Sequence, residues 1–397
     1  MKKLISNQKK IVTLMSISIC SFIIFFSSCM KKESEMVVKG DSGTPTLPAM
    51  PYNYGSGQNN LATLGRVLFY DKNLSLNNAI ACGSCHNQAN SFADNHQFSR
   101  GLNNTYSTRN ASAIVSSPFH SHFWDGRAAN YDIAVFMPVM NHGEMDMFSL
   151  DILPAKLSAI SYYSTLFNNA YGTSEITIAR IRGALSEFVN DLSSTNSRFD
   201  RASTANTGQF NGNGLTAFEI AGWQLFNGKG KCINCHNGPN FNGGNQNIYE
   251  NTLTSTFENI GLEVNYSDIG RGKITQNTAD NGKFNIPTLL NIAVTAPYMH
   301  DGRYATLRQV IDHYSEGIQD SPNLSFHFRD IPSNLFTNSI DSFGFSQVLP
   351  PANFASFPVK PLSLTEQEKN NLEAFLNTLT DVNFLADPKF SNPFTGN

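Results

Sequence analysis

Charge is scarce in this chain. Asp, Glu, Lys and Arg make up 15 % of its 397 residues, against about 25 % in typical soluble domains, and the net charge is −3. No long basic run is present, so nucleic acid is not an expected partner. A run of alternating strand patterns is also missing, which argues against a sheet-based fold. Hydrophobic residues reach 40 %, enough for a core, and the length suits about two domains of roughly 100–200 residues.

The N-terminus has the pattern of an export signal. Four lysines precede an uncharged, mostly apolar segment, 11–26, which is shorter than the roughly 20 residues that span a membrane. Small residues stand directly before Cys29, an arrangement that resembles the lipobox of bacterial lipoproteins. We therefore expect residues 1–29 to be a lipoprotein signal peptide. Lipidated Cys29 would anchor the protein on the periplasmic side of a bacterial membrane. Ordinary signal cleavage and an uncleaved anchor are the alternatives.

The rest of the chain divides by composition. Residues 30–57 are polar and rich in Gly, Pro and Ser, which predicts a flexible tether. Segment 175–192 carries a helical apolar stripe, and the polar segment 201–214 is a natural domain boundary. We therefore predict one domain over 58–210 and another over 211–385. Capping boxes predict helices that begin at Thr216, with Glu219, and at Thr365, with Glu368.

Cysteine is sparse, and four of the six cysteines form two Cys-x-x-Cys-His motifs. These are Cys82-Gly83-Ser84-Cys85-His86 and Cys232-Ile233-Asn234-Cys235-His236. Two thiols at this spacing can reach the two vinyl groups of one haem, and the adjacent His then lies under the iron. Zinc binding and thiol redox chemistry are the rival interpretations of a Cys-x-x-Cys pair. Both pairs here carry an immediate His behind an export signal, which favours two covalently attached c-type haems.

An internal repeat surrounds these motifs. Gly65-x-x-Leu68-Phe69 precedes the first and Gly222-x-x-Leu225-Phe226 the second. After each motif an Asn is followed by a run that ends in Asp-Gly-Arg, at 125–127 and 301–303. Two related haem domains in tandem are the simplest explanation.

The chain resembles the bacterial di-haem cytochrome c peroxidases from about residue 60 to 380. The resemblance lies in LGRVLFYDKNLS (64–75), TRN (108–110), FWDGRA (123–128), Pro138 to Met145, and KFNIPTLLNIAVTAPYMHDGR (283–303). It implies an all-α fold with two tandem cytochrome c-like haem domains and long irregular loops. It also implies that one haem reacts with hydrogen peroxide while the other relays electrons from a small donor protein, a cytochrome c or a cupredoxin. Family members are often dimers, so a homodimer is also expected.

The resemblance assigns roles to particular residues. The haem on His86 becomes the peroxidatic one, and Glu144 matches the family's distal acid, which moves a proton between the peroxide oxygens. Trp124 matches the Trp between the two haems, although a Trp also simply fills cores. Asn110, Thr295 and Pro297 match a calcium site, whose oxygen ligands suit a hard cation.

The first haem site departs from the family pattern. Family members with a blocked resting state carry a His where this chain has Leu102, which cannot ligate iron. The first haem should therefore be open to peroxide without prior reduction. Substitute ligands would have to come from His96, His120, His122 or His142. The family's Gln near the distal acid is Ala134 here, so one hydrogen-bond partner is lost.

The residues at the relay haem site also depart from the family pattern. Thr306 to Gly317 is predicted to be a helix, and Tyr314 stands where the peroxidases place an axial Met. This subgroup resembles the MauG-type enzymes, in which two linked haems store oxidising equivalents together. Tyr314 is therefore the expected second-haem ligand, with His313 or Met299 as alternatives. Three functions remain open: a peroxidase, a MauG-type enzyme that oxidises a partner protein, and a non-catalytic electron carrier.

Overall fold

The computed structural model describes residues 60–116, 121–203, 210–243, 256–340 and 346–394. The signal peptide, Cys29, the tether and His120 lie outside these ranges. Most of the regular structure is helical, as expected. The helices are α1 (Asn60–Tyr70), α2 (Tyr131–Ala134), α3 (Met137–Met140), α4 (Leu153–Ser158), α5 (Ser161–Tyr171), α6 (Ile178–Asp191), α7 (Arg198–Ala202), α8 (Ala217–Asn227), α9 (Gly272–Thr275), α10 (Leu307–Asp312), α11 (Glu366–Asn377) and α12 (Val382–Ala386).

The predicted helix starts are confirmed. The Thr216 hydroxyl accepts from the Glu219 amide, and the Glu219 carboxylate accepts from the Thr216 amide at 2.7 Å. Thr365 and Glu368 form the same reciprocal pair at the start of α11. Each box satisfies two backbone amides that would otherwise lack a partner. The stripe on α6 is also confirmed, since its apolar face, which includes Phe188, is buried.

The sequence repeat corresponds to a repeated pair of helices. Helix α1 crosses α6 at Gly65, where an added Cβ would lie 1.9 Å from the carbonyl oxygen of Ala184. Helix α8 crosses α11 at Gly222, where an added Cβ would lie 2.0 Å from the carbonyl oxygen of Asn371. In both halves the helix before a Cys-x-x-Cys-His motif therefore needs glycine for a close approach to a later helix. Short 3-10 turns then carry the motifs, at Cys82–Ser84 and Cys232–Asn234.

Two short antiparallel strand pairs interrupt the helical pattern. Strands β1 (Phe257–Glu258) and β2 (Phe284–Asn285) pair, as do β3 (Thr337–Ile340) and β4 (Ser346–Leu349). All four lie in 237–285 or 315–360, two segments rich in Asn and Gly whose sequence predicts long irregular loops. They are too short to change the fold class.

Several contacts connect the two halves of the chain. Near the C-terminus, the Phe390 carbonyl accepts from the Tyr70 hydroxyl at 2.8 Å, and the Ser391 carbonyl accepts from the buried Arg66 guanidinium at 2.6 Å. In the other direction, Phe199 on α7 packs edge-on against Phe375 of α11. Contacts thus cross the predicted boundary at residue 210 in both directions, and that boundary stays a prediction.

Within the described ranges, no helix combines the length and the apolarity that crossing a bilayer requires.

Candidate haem cavities and active site

Each Cys-x-x-Cys-His motif lines a cavity. The first cavity has a volume of about 1130 Å³ and contains Cys82, Cys85 and His86 in its wall. The second, about 200 Å³, is lined by the motif at 232–236 and by Tyr314. All four cysteines are free of disulfides. The structure therefore brings both motifs to interior surfaces where a flat cofactor can lie.

The two histidines are oriented as metal ligands. The Nδ1 atom of His86 lies 2.6 Å from the Phe92 carbonyl oxygen, and that of His236 lies 2.9 Å from the Phe241 carbonyl oxygen. A carbonyl can only accept, so each Nδ1–H donates and each Nε2 keeps its lone pair. Burial lowers the pKa of both rings, which keeps them neutral, as ligation requires. Both sites therefore fit a haem with a proximal His.

The thiols of the two motifs lie in apolar surroundings. Burial raises the pKa of Cys82 and of Cys232 to about 12, and that of Cys85 to about 11. These three side chains are therefore protonated thiols in the cavities as they stand.

Glu144 lines the first cavity. The side chain is positioned by the turn after α3, where the Asn141 amide donates to Oε1 of Glu144 at 2.7 Å. Burial raises the pKa of Glu144, against the opposing effects of the Arg127 charge and this hydrogen bond. A carboxyl with a raised pKa inside a cavity suits proton transfer.

Leu102 lies beside Glu144 but does not line the first cavity. Its backbone amide donates to the Glu144 carbonyl at 2.9 Å, its side chain is buried, and it is absent from the cavity lining. Its neighbour Gly101 does line the cavity. Position 102 therefore presents no ligand to the first site.

The histidines that could ligate the first iron in place of residue 102 differ in their exposure and in whether they line the first cavity. The side chains of His96 and His142 are 76 % and 83 % exposed and pair with Asp94 and Asp146. His122 is different, because it lines the first cavity and its ring stacks on Tyr131, with centroids 3.9 Å apart. His120 lies outside the described residues.

Trp124 borders both cavities. Its indole Nε1 donates to the Asn110 carbonyl at 2.8 Å, which fixes the plane of the ring. Its ring lies edge-on to that of His300, which also lines both cavities. The side chain is therefore in the wall that the two haem sites share.

The three calcium candidates, Asn110, Thr295 and Pro297, all line the second cavity. The Asn110 side-chain amide donates to the His96 carbonyl at 3.0 Å, so its Oδ1 is directed elsewhere. The Thr295 hydroxyl donates to the Ile292 carbonyl. These contacts leave oxygen ligands at all three residues, and the ion itself stays a prediction.

Tyr314 faces the second cavity. Helix α10 continues into a π-helical turn, His313–Gly317, and the face with Leu307, Val310, Ile311 and Tyr314 lines the cavity, as the helical spacing predicts. His313 instead lies with its Nε2 2.9 Å from the Ile260 carbonyl and does not line the cavity. Met299 does line it. Burial raises the pKa of Tyr314 above its usual range, so the phenolate requires a positive charge beside it, which ferric iron would supply.

Sequence reasoning missed three residues of these sites. Glu258 and His327 line the second cavity, and their ligand atoms lie within 4.8 Å of each other and of the Cys235 sulfur. Burial raises the pKa of Glu258 to about 7 and lowers that of His327 to about 4. No sequence signal joins such distant residues. Tyr131 lines the first cavity, and its i, i+3 spacing to Ala134 could have indicated this.

Known proteins match the chain over most of its length. A family model described as di-haem cytochrome c peroxidase matches residues 59–208. The methylamine utilization protein MauG of Methylorubrum extorquens is 30 % identical over 320 residues, which cover 80 % of this chain and 77 % of that protein. The cytochrome c551 peroxidase of Nitrosomonas europaea is 33 % identical over 271 residues, with coverages of 67 % and 76 %.

Solved structures share the architecture. A MauG-like protein associated with microbial copper homeostasis superposes with a TM-score of 0.67 at 29 % identity, covering 89 % of this chain and 99 % of that one. The diheme peroxidase BthA of Burkholderia thailandensis gives a TM-score of 0.60 at 21 % identity, with coverages of 83 % and 87 %, and shows the fold alone.

Proposed function

Since the chain belongs to the di-haem cytochrome c peroxidase family, we propose that its His86 haem reacts with peroxide and its His236 haem relays electrons. The protein is an oxidoreductase that reduces hydrogen peroxide, and its cofactors are two c-type haems. The observation that carries the division of roles is the contrast between the cavities. The first cavity is the larger, about 1130 Å³, and contains the half-buried acid Glu144, whereas the second, about 200 Å³, contains Tyr314.

Glu144 performs the proton transfer. Peroxide takes up two electrons and two protons and gives two water molecules, and the bound haem iron supplies the site where the O–O bond breaks. Asn141 holds Oε1 of Glu144, which leaves Oε2 to take a proton from one peroxide oxygen. The same atom returns the proton to the other oxygen, which leaves as water.

Trp124 connects the two sites. It lies in the wall shared by both cavities, and its hydrogen bond to the Asn110 carbonyl holds a large π-system in one orientation. Electrons arrive at the second haem from a small periplasmic protein, a cytochrome c or a cupredoxin, and pass through this residue. Asn110, Thr295 and Pro297 would hold a calcium ion, which would stiffen the same wall.

Tyr314 and His236, which line the same cavity, would together hold the iron of the relay haem. Its place in the second cavity and the exclusion of His313 from that cavity support this assignment. A tyrosinate stabilises ferric and higher iron states. This favours the MauG-type alternative, in which peroxide oxidises a partner protein, and the similarity to a protein named MauG agrees with it. We retain it as the second candidate function.

The location is proposed from the N-terminal sequence pattern, and the assembly from the family resemblance. Lipidated Cys29 and the tether 30–57 place the enzyme on the periplasmic side of a bacterial membrane. Two tandem haem domains, 58–210 and 211–385, form each subunit, and two subunits form a homodimer.

The deciding experiment is spectroscopic. Visible and low-temperature EPR spectra of the purified ferric protein, before any reductant, should show one high-spin and one low-spin haem, and the high-spin signal should change at once with peroxide. Turnover with a reduced cytochrome then separates a peroxidase from an enzyme that oxidises a partner protein. Two low-spin haems that ignore peroxide would refute the open first site and leave either a peroxidase that must first be reduced or an electron carrier.

A further inference from the structure

The candidate ligand of the second iron lies on an unusual piece of backbone. Tyr314 belongs to the π-helical turn His313–Gly317, which follows α10. Such turns are rare, and they often occur at functional sites. The Tyr314 ring stacks on Phe328, with centroids 5.9 Å apart. The position of the phenol in the second cavity therefore depends on what holds this one turn in place.

The turn takes its hydrogen bonds from outside its own helix. In a continued π-helix the Tyr314 carbonyl would accept from the amide five positions later, that of Gln319. That amide donates instead to the Gly261 carbonyl at 2.8 Å. The Tyr314 carbonyl accepts from the Leu362 amide at 3.1 Å, so its partner comes from the segment just before α11.

Ser315, the next residue of the turn, makes two further hydrogen bonds to the same segment. Its carbonyl accepts from the Ser363 amide and its hydroxyl from the Leu364 amide, each at 2.9 Å. Ser315 is 1 % exposed, so the buried Leu364 amide would lose its acceptor if the hydroxyl were removed. Three consecutive amides, those of residues 362–364, therefore hold Tyr314 and Ser315.

Lys369, one turn into α11, adds charged contacts on both sides of Tyr314. Its Nζ lies 2.7 Å from Oδ1 of Asp312 and 2.6 Å from Oε1 of Glu316, two positions before and two after the tyrosine. The lysine side chain is 5 % exposed, and a buried ammonium group requires such partners. Two carboxylates four positions apart on a helix repel each other, and the lysine charge offsets that repulsion. Lys369 thus joins both ends of the turn to α11.

We propose that Lys369 and Ser315 are positioning residues for the second haem, because they keep Tyr314 in the wall of the second cavity, where its oxygen can bind the iron. This inference rests on the proposed function, since it assumes that Tyr314 is an iron ligand. Neither Lys369 nor Ser315 lines the cavity, so both act through the backbone of the turn. A functional group must be held within about 0.5 Å of its productive position, which one loosened turn can exceed.

The test compares low-temperature EPR spectra of the ferric holoprotein with those of Lys369→Met, Ser315→Ala and Tyr314→Phe. Tyr314→Phe removes the phenol oxygen and gives the reference spectrum of a second haem without it. We expect Lys369→Met and Ser315→Ala each to lose part of the wild-type low-spin signal and to gain the Tyr314→Phe signal in its place. Ser315→Ala decides the question alone if Lys369→Met does not fold. Lys229→Met is the matched control, since that lysine pairs with Glu368 of the same helix at 2.6 Å, and it should retain the wild-type spectrum.

The outcomes separate the two proposals. A Tyr314→Phe spectrum identical to that of the wild type would remove Tyr314 from the iron, and the proposed ligation would fall together with the inference. A changed Tyr314→Phe spectrum, with the wild-type signal fully retained in either folded positioning variant, would overturn the inference alone. The high-spin signal of the first haem is the internal standard. An equal loss of that signal would show a general loosening of the fold and would also overturn the inference.

Discussion

Replacement of Glu144 by Gln tests the proton-transfer step with the smallest structural change. The side chain keeps its size, and its remaining carbonyl oxygen can still accept the 2.7 Å hydrogen bond from Asn141. The cavity wall is therefore preserved, and only the ability to take and return a proton is lost. A positioned acid–base group contributes about 10²–10⁴-fold to a rate, which corresponds to roughly 3–5 kcal/mol. We expect the rate with peroxide to fall by about that factor.

Stopped-flow absorbance of the ferric protein, at several peroxide concentrations, gives this rate directly. Haem content and spin state should match the wild type. Glu175→Gln serves as the control, because that side chain is 68 % exposed and pairs with Arg180 at the surface. A rate for Glu144→Gln within about threefold of the wild type would remove Glu144 from the mechanism.

The pH dependence gives an independent check on the same residue. Burial raises the pKa of Glu144, so its proton-accepting form is lost as the pH falls through a value above the ordinary one for Glu. The wild-type rate should decline on that acidic side, and the decline should be absent in Glu144→Gln. A decline of equal size in both proteins would assign it to another group.

Four further predictions follow from the sites and the helix crossings. Tyr314→Met should raise the second haem's midpoint potential by on the order of 100 mV in a redox titration, and no shift would count against ligation. Trp124→Phe should slow steady-state turnover but leave the ferric protein's rate with peroxide unchanged; equal slowing of both would indicate a packing role. Calcium should raise the unfolding temperature of chelated wild type but not of Asn110→Ala, and an equal rise in both would place the ion elsewhere. Gly222→Ala should lower that temperature by a few degrees, since about 1–3 kcal/mol of overpacking exceeds the roughly 1 kcal/mol gained in helix propensity. Gly183→Ala, which meets only the Tyr171 hydroxyl, should not lower it.

Features that depend on local sequence were predictable. The capping boxes at Thr216 and Thr365 and the buried face of α6 follow from spacing alone, and the structure confirms them. The haem motifs are also local, because both thiols and the histidine lie within five residues. The face of α10 that carries Tyr314 was predictable for the same reason, since a helix fixes which residues share a side.

Features that depend on distant contacts were not predictable. The β3–β4 pair forms within a segment rich in polar residues, where no alternating pattern marks a strand. The cluster of Cys235, Glu258 and His327 joins three segments that only the folded chain brings together. The stack of His122 on Tyr131 is closer in sequence, but the intervening turn determines whether the two rings meet.

The contacts of residues 390 and 391 have a consequence for the stability of the first haem site. Arg66 and Tyr70, on the helix just before the first haem motif, donate hydrogen bonds to Ser391 and Phe390, which lie more than 300 positions later in the chain. Both donors are buried, so each would lose an acceptor without a compensating bond to water if this segment came away. The helix that carries the chain into the first motif is thus held in place by residues that lie beyond the second.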